Sequence, residues 1–171
     1  GSGLVIDKKF LEINNVSIFK DEPFVQDSLS DGVNLVMFSG DKLFGSVQSG
    51  IIAGDDDLVN EIKNYSLFRT YRCSPITLFE LQETVLRYIN KQEKEIPFWN
   101  LITQPYSSLE DRCKNIAKSI SFSTRIEKGE SVIGGGTLPG VTLESPILLI
   151  NNEKTVDTIK QLIKNHIPII P

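Results

Sequence analysis

The sequence predicts an α/β protein, and three observations carry that expectation. Short β-prone apolar runs, Asn34 to Phe38 and Ser49 to Ala53, are bounded by small residues and read as strands. Apolar residues four and three apart, as at Leu58, Ile62 and Tyr65, read as one face of a helix. Helical and strand segments also alternate, and a helix before Gly32 leads at once into the first strand, the step expected of a doubly wound α/β sheet.

Leu4 to Ile6 opens the chain as an apolar stretch without a preceding cap. From Asp21 and Glu22, with Pro23 at a favourable first-turn position, a short helix is expected to run to about Ser30 and end at Gly32. Ser39 and Gly40 then break the first strand, and a turn rich in small residues carries Lys42 toward the second. Gly54 and Asp55 to Asp57 open the next helix. An N-cap followed by acids at the positive helix end explains these aspartates better than a metal, since no calcium-loop spacing follows.

Ser74 and Pro75 read as the cap and first position of a long helix, whose expected buried stripe is Leu78, Leu81, Val85 and Tyr88. The polar run Asn90 to Glu95 reads as a linker, dividing a first domain at 1–90 from a second at 91–171. Ile96-Pro97 starts the next helix, in which Trp99 reads as packing rather than a ligand platform. Ser107 to Glu110 has the form of a capping box. The stripe that follows it, Leu109, Cys113, Ile116, Ala117 and Ile120, makes Cys113 a buried, inert thiol.

Phe122 to Ile126, Ser131 to Ile133 and Pro146 to Ile150 read as strands. Gly134 to Gly140 is a turn between strands and does not fit a dinucleotide fingerprint, because Pro139 takes the last glycine place and no helix pattern follows. Thr155 is expected to cap a helix carrying Val156, Ile159, Leu162 and Ile163, with a last strand over Ile167 to Ile170. His166 lies at that helix end, where the dipole favours a cation, and reads as non-catalytic.

With 171 residues, 40% hydrophobic and 23% charged, the chain has the composition of a soluble globular protein with one ordinary core. A formal charge of −4 argues against this stretch gripping a nucleic-acid backbone by itself, since that needs clustered Lys and Arg. Two cysteines cannot make a disulfide framework, no metal-ligand cluster occurs, and a reducing cytoplasm is the simplest compartment. No run is long enough to span a bilayer, and the first residues given have neither the basic flank nor the apolar core of a signal peptide. Both ends look cut, so the chain is expected to be a portion of a larger protein. Alone it is expected to be inactive and to self-associate.

The chemistry centres on Lys42. A lysine held at a strand end among glycines is where a Schiff-base amine is useful, because partial burial favours the neutral form that attacks a carbonyl. Ser39-Gly40-Asp41-Lys42-Leu43, then Gly45, Gln48 and Gly50-Ile51-Ile52, resembles the cofactor-lysine segment of the bacterial selenocysteine synthase family. Arg69-Thr70-Tyr71-Arg72, Ile96-Pro97 and Gly134 to Leu143 match the same family in order, over nearly the whole chain. Where the family has Gly-Gly-Pro-Gln, this chain has Gly45-Ser46-Val47-Gln48.

The resemblance implies the end of a fold-type I pyridoxal-phosphate (PLP) transferase large domain, followed by part of a small C-terminal α/β domain. It implies PLP on Lys42, with Ser39 and Gln48 at the cofactor and Asp41 orienting a reacting group. Arg69 and Arg72 would bind the selenium donor, selenophosphate. The reaction implied is conversion of seryl-tRNA(Sec) to selenocysteinyl-tRNA(Sec) in a homo-oligomer, with the tRNA held mainly by regions outside this stretch and the Gly134 loop facing the cleft. Two other readings stand beside it: a PLP-dependent paralogue acting on a small amino or sugar acid, and a non-catalytic interaction fragment.

Overall fold

The computed structural model describes residues 1–134, 137–151 and 155–164. It is a mixed α/β structure that divides into two compact units. The first comprises 1–104 with 132–142, and the second 105–131 with the described residues from 143 onward. The division therefore follows Gln104, and the polar run after Asn90 is built into the first unit. Its Glu93 is buried in a 3-10 turn whose backbone carbonyl accepts from the Ile96 amide.

In the first unit, α1 (Lys8–Ile13) has no counterpart among the sequence expectations. Asp7 caps it by accepting from the Lys9 amide at 3.0 Å. α2 (Val25–Ser30) starts later than expected: Asp21 to Pro23 lie in the turn that precedes it, and Phe24 takes the cap position. β1 (Leu35–Ser39) and β2 (Gly50–Gly54) form an antiparallel pair, in register from Leu35 opposite Gly54 to Ser39 opposite Gly50. The expected helix-to-strand step from α2 into β1 is present, and the connection from β1 to β2 is a hairpin. Residues 40–49 alone join the strands, fewer than the roughly dozen residues a parallel crossover needs.

β1 has company on its other edge as well. The Gly1 amine donates to the Met37 carbonyl at 2.8 Å and the Gly1 carbonyl accepts from the Ser39 amide at 3.3 Å. One residue bracketing Phe38 in this way is the bonding pattern of a parallel neighbour. Leu4 continues the segment with a parallel bridge to Phe24.

α3 (Asp56–Asn64) begins as expected, with the Asp55 carboxylate accepting from the Asp57 and Leu58 amides at 3.0 and 3.2 Å. A 3-10 helix over Ser66–Tyr71 follows. Ser74 then caps α4 (Pro75–Ile89) through the Thr77 amide. The expected stripe of α4 is corrected in part. Leu78 and Val85 are exposed, and the inward face is Leu81, Thr84 and Tyr88. A threonine can take a buried place because its hydroxyl is satisfied, by Ser46 Oγ at 2.9 Å and the Glu80 carbonyl at 3.0 Å. Ile76, Phe79 and Ile89 are exposed on other parts of α4.

α5 (Pro97–Ile102) opens with its proline at the first turn and delivers Trp99, which is fully buried. The core around it comprises Leu4, Ile6, Leu11, Val16, Phe19, Leu43 and Ile96, with Ile133 and Leu138 packed against it. Trp99 meets the rings of Phe19 and Phe98 edge to face, at 5.4 and 4.9 Å between centroids.

In the second unit, α6 (Tyr106–Lys118) starts one residue before the expected capping box. Pro105 occupies the cap position with no side-chain hydrogen bond, so Ser107 lies inside the helix and does not cap it. Cys113 is half-buried, with its Sγ directed at the Pro146 carbonyl, while Ile116 is exposed. The two strands expected over 122–133 are one, β3 (Thr124–Val132), paired with β4 (Thr142–Ile150). Gly129 keeps the strand continuous, since a side chain there would collide with Ile147. α7 spans Thr155–Lys164. Gly135, Gly136, His166 and the expected strand at 167–170 lie outside the described residues. Among the described residues no helix is long and apolar enough to cross a membrane.

Candidate active site

The end of β1 and its connection to β2 hold four of the residues singled out in the sequence: Ser39 on the strand, and Asp41, Lys42 and Gln48 in the connection. Its backbone is tied at several points. The Gly40 amide donates to the Ser49 carbonyl at 2.9 Å and the Ser46 amide to the Gly40 carbonyl at 2.8 Å, closing the loop on itself. The Lys42 carbonyl accepts from the Gly45 amide at 2.9 Å, and the Leu43 amide reaches the Ser2 carbonyl at 3.0 Å. Leu43 and Phe44 are buried, so the turn is nailed to the core immediately after the lysine.

Two glycines make this path possible. A Cβ on Gly40 would stand 2.7 Å from the Val47 carbonyl oxygen and collide with Ser49 Oγ. Gly45 has φ +74°, and a Cβ there would stand 2.8 Å from Ile96 Cγ2. Lys42 itself is half-buried, and its ammonium has no hydrogen bond or ion pair among the described residues. Asp41 and Gln48 are exposed. A rigid, satisfied backbone thus carries a primary amine, a hydroxyl, a carboxylate and a carboxamide that are uncommitted to each other.

Arg69 and Arg72 come together separately. Arg69 lies in the 3-10 helix and Arg72 is its C-cap, with the Arg72 amide donating to the Arg69 carbonyl at 3.4 Å. Residues three apart eclipse in that geometry, so the two side chains leave the backbone on one side. Both are exposed, and neither guanidinium makes a hydrogen bond or ion pair among the described residues. Among the described residues no side-chain bond joins the arginine pair to the lysine loop; α4, which starts at Pro75, makes side-chain hydrogen bonds to that loop.

That contact supplies the residues which the sequence analysis did not assign to the site. Tyr88 Oη donates to the Phe44 carbonyl at 2.9 Å and accepts from Trp99 Nε1 at 2.7 Å. Burial pushes the Tyr88 phenol well above its ordinary value, against the opposing effect of the Trp99 bond, so it remains a neutral donor. One turn earlier, Thr84 holds Ser46, and Leu81 Cδ2 would lie 3.5 Å from a Cβ on Gly40. A polar residue four before Tyr88 was the available signal, since threonine and tyrosine at that spacing share a helix face.

The family described as L-seryl-tRNA selenium transferase matches residues 1–170. A protein of Campylobacter fetus subsp. fetus named L-seryl-tRNA(Sec) selenium transferase is 40% identical over 129 residues, which is 75% of this chain and 29% of that protein. A protein of the same name from Clostridium perfringens is 34% identical over 179 aligned positions, covering 99% of this chain and 37% of the relative. The chain thus spans about a third of the length of the curated relatives it matches. With a family match over all but its last residue and these relatives, the chain belongs to the L-seryl-tRNA selenium transferase family.

Proposed function

We propose that this chain is the lysine-bearing portion of a cytoplasmic, homo-oligomeric enzyme that converts seryl-tRNA(Sec) to selenocysteinyl-tRNA(Sec), with selenophosphate as selenium donor and PLP as cofactor on Lys42. The observation that carries the reading is the Lys42 turn: backbone bonds at Gly40, Lys42, Leu43, Gly45 and Ser46 fasten it, while the lysine ammonium has no partner among the described residues. The residues present fit the cofactor in their donor chemistry, a primary amine for its carbonyl carbon and a hydroxyl and carboxamide for its polar groups. The acid required by a pyridine nitrogen is not assigned to any residue of this chain.

The parallel neighbour of β1 at Gly1, opposite an antiparallel β2, supports a mixed sheet of the fold-type I kind. In that reading the large domain ends near residue 90 and a small domain follows. When bound, PLP supplies an electron sink for bond breaking at the seryl α-carbon. Lys42 holds the cofactor and, as a free amine, takes the substrate's α-proton. Ser39 donates to the cofactor phosphate, Gln48 binds beside it, and Asp41 orients the reacting group. Arg69 and Arg72 grip the oxygens of selenophosphate by two-pronged hydrogen bonds.

Borohydride treatment of the longer native protein, followed by peptide mapping, is expected to leave a pyridoxyl group on Lys42. A label on a different lysine overturns the assignment.

The arginine pair gives an independent result. A charged hydrogen bond contributes about 1.5–3 kcal/mol, so Arg69→Ala or Arg72→Ala should weaken use of selenophosphate roughly ten- to a hundredfold. Cofactor absorption should stay as in the parent enzyme. Steady-state rates against selenophosphate concentration read the effect, and unchanged donor dependence in both variants removes the arginines from the donor site.

A further inference from the structure

Residues of α4 hold the lysine loop at two points one helical turn apart. Thr84 Oγ1 and Ser46 Oγ share a hydrogen bond at 2.9 Å, and Tyr88 Oη donates to the Phe44 carbonyl at 2.9 Å. Phe44 and Ser46 flank Gly45, whose amide closes the turn on the Lys42 carbonyl. The phenol is itself oriented, because its acceptor side is taken by the indole N–H of fully buried Trp99 at 2.7 Å. An indole that can only donate leaves the phenol hydrogen aimed at Phe44. The ring of Tyr88 also stacks, tilted, on Phe44 at 5.5 Å.

Geometry of this kind is more than filling of a core. Leu81, Thr84 and Tyr88 repeat at helical spacing and all three touch or approach residues 40–46. We propose that Tyr88, oriented by Trp99 and assisted by Thr84, is a positioning residue that fixes the Lys42 turn and thereby the direction of the lysine amine. The proposal rests on Lys42 being the cofactor lysine. Without the phenol, the Phe44 carbonyl and the Trp99 N–H both lose a partner in a site closed to water, and the turn regains freedom where the amine is attached.

The test uses the longer native enzyme with Tyr88→Phe, which keeps the ring and removes only the hydroxyl. Leu11→Ala, a truncation in the same core that makes neither of the hydrogen bonds to the loop, serves as the destabilised comparison. In the cofactor-free protein, amide hydrogen exchange of the 40–46 segment is expected to quicken by about tenfold or more in Tyr88→Phe, the consequence of one buried bond lost. In Leu11→Ala, which loosens the core without removing either bond to the loop, exchange of that segment should quicken by less than in Tyr88→Phe. In the loaded protein, loss of pyridoxal phosphate on dilution should accelerate by a similar factor only in Tyr88→Phe. If Tyr88→Phe does not fold, Thr84→Val is measured in the same two ways with the same direction expected.

Parent-like exchange or parent-like cofactor loss in the hydroxyl variant overturns the positioning role while leaving the cofactor assignment intact. Equal changes in Leu11→Ala overturn it also, by reducing it to general stability. A pyridoxyl label on some lysine other than Lys42 in the parent overturns the underlying reading, and the positioning role with it.

Discussion

Lys42→Ala in the longer native protein is expected to abolish covalent cofactor retention and to lower selenocysteinyl-tRNA formation by at least about a thousandfold. Two losses combine in the one substitution. On the proposed function, the substitution removes both the amine that would hold the cofactor and the base that would take the substrate's α-proton, a role that alone contributes about a hundred- to ten-thousandfold. The fold should tolerate the change, because the turn is held by backbone bonds at Gly40, Leu43, Gly45 and Ser46 and by burial of Leu43 and Phe44, not by the lysine side chain. Cofactor absorbance after gel filtration, turnover and a melting curve measured together decide the matter. Turnover near the parent level would remove Lys42 from the chemistry, and a collapsed melting temperature would make the lysine structural.

Trp99→Ala is expected to give the largest stability loss of any single truncation in the first unit. Its side chain is fully buried, contacts Phe19 and Phe98 edge to face, and donates to Tyr88. Truncating a buried tryptophan costs about 3–5 kcal/mol through lost burial and the cavity left behind. For a domain of about 150–250 residues this corresponds to a fall of roughly 6–20 °C in melting temperature. Thermal unfolding of the variant in the longer protein reads it. A shift within about 2 °C would mean that the surrounding aromatics close the cavity and that this core does not depend on the indole.

The strand–turn–strand unit around Lys42 was legible because apolar runs, glycines and a lone cation are local signals. The inward face of α4 was less so. Leu78 and Val85 fit an apolar stripe, yet both are exposed, while Thr84 is buried because Ser46, distant in sequence, satisfies its hydroxyl. A hydropathy pattern ranks threonine as polar and cannot register a partner 38 positions away. The parallel neighbour at Gly1 was hidden for the same reason, since its partner Met37 lies 36 positions away and no pattern in the first residues can register it.

Other misreadings were local competitions. Ser107 to Glu110 has the letters of a capping box, but Pro105 brings the chain into α6 before Ser107 can cap it. One strand runs through 124–132 where a polar interruption suggested two, because a pairing strand satisfies its backbone along the whole length. In the site, the candidate residues were all legible individually; their support by Tyr88 and Trp99 was not, since a hydroxyl donating to a main-chain carbonyl leaves no mark in a motif.

The bonds that fasten the lysine turn also set an order of events during folding. Gly1 to Met37, Ser46 to Thr84 and Phe44 to Tyr88 join positions 36, 38 and 44 apart in the chain. Each closes a long loop whose entropy must be lost before the contact gives anything back, so such links form after local helices and hairpins. The β1–β2 hairpin and α4 can therefore take shape early, with Lys42 still on a loose connection between the strands. Only when α4 docks and Trp99 is buried does the amine acquire a fixed direction. A nascent or partly refolded chain would thus hold nearly all its secondary structure before it becomes competent to capture a carbonyl, which makes cofactor capture a late reporter of native topology.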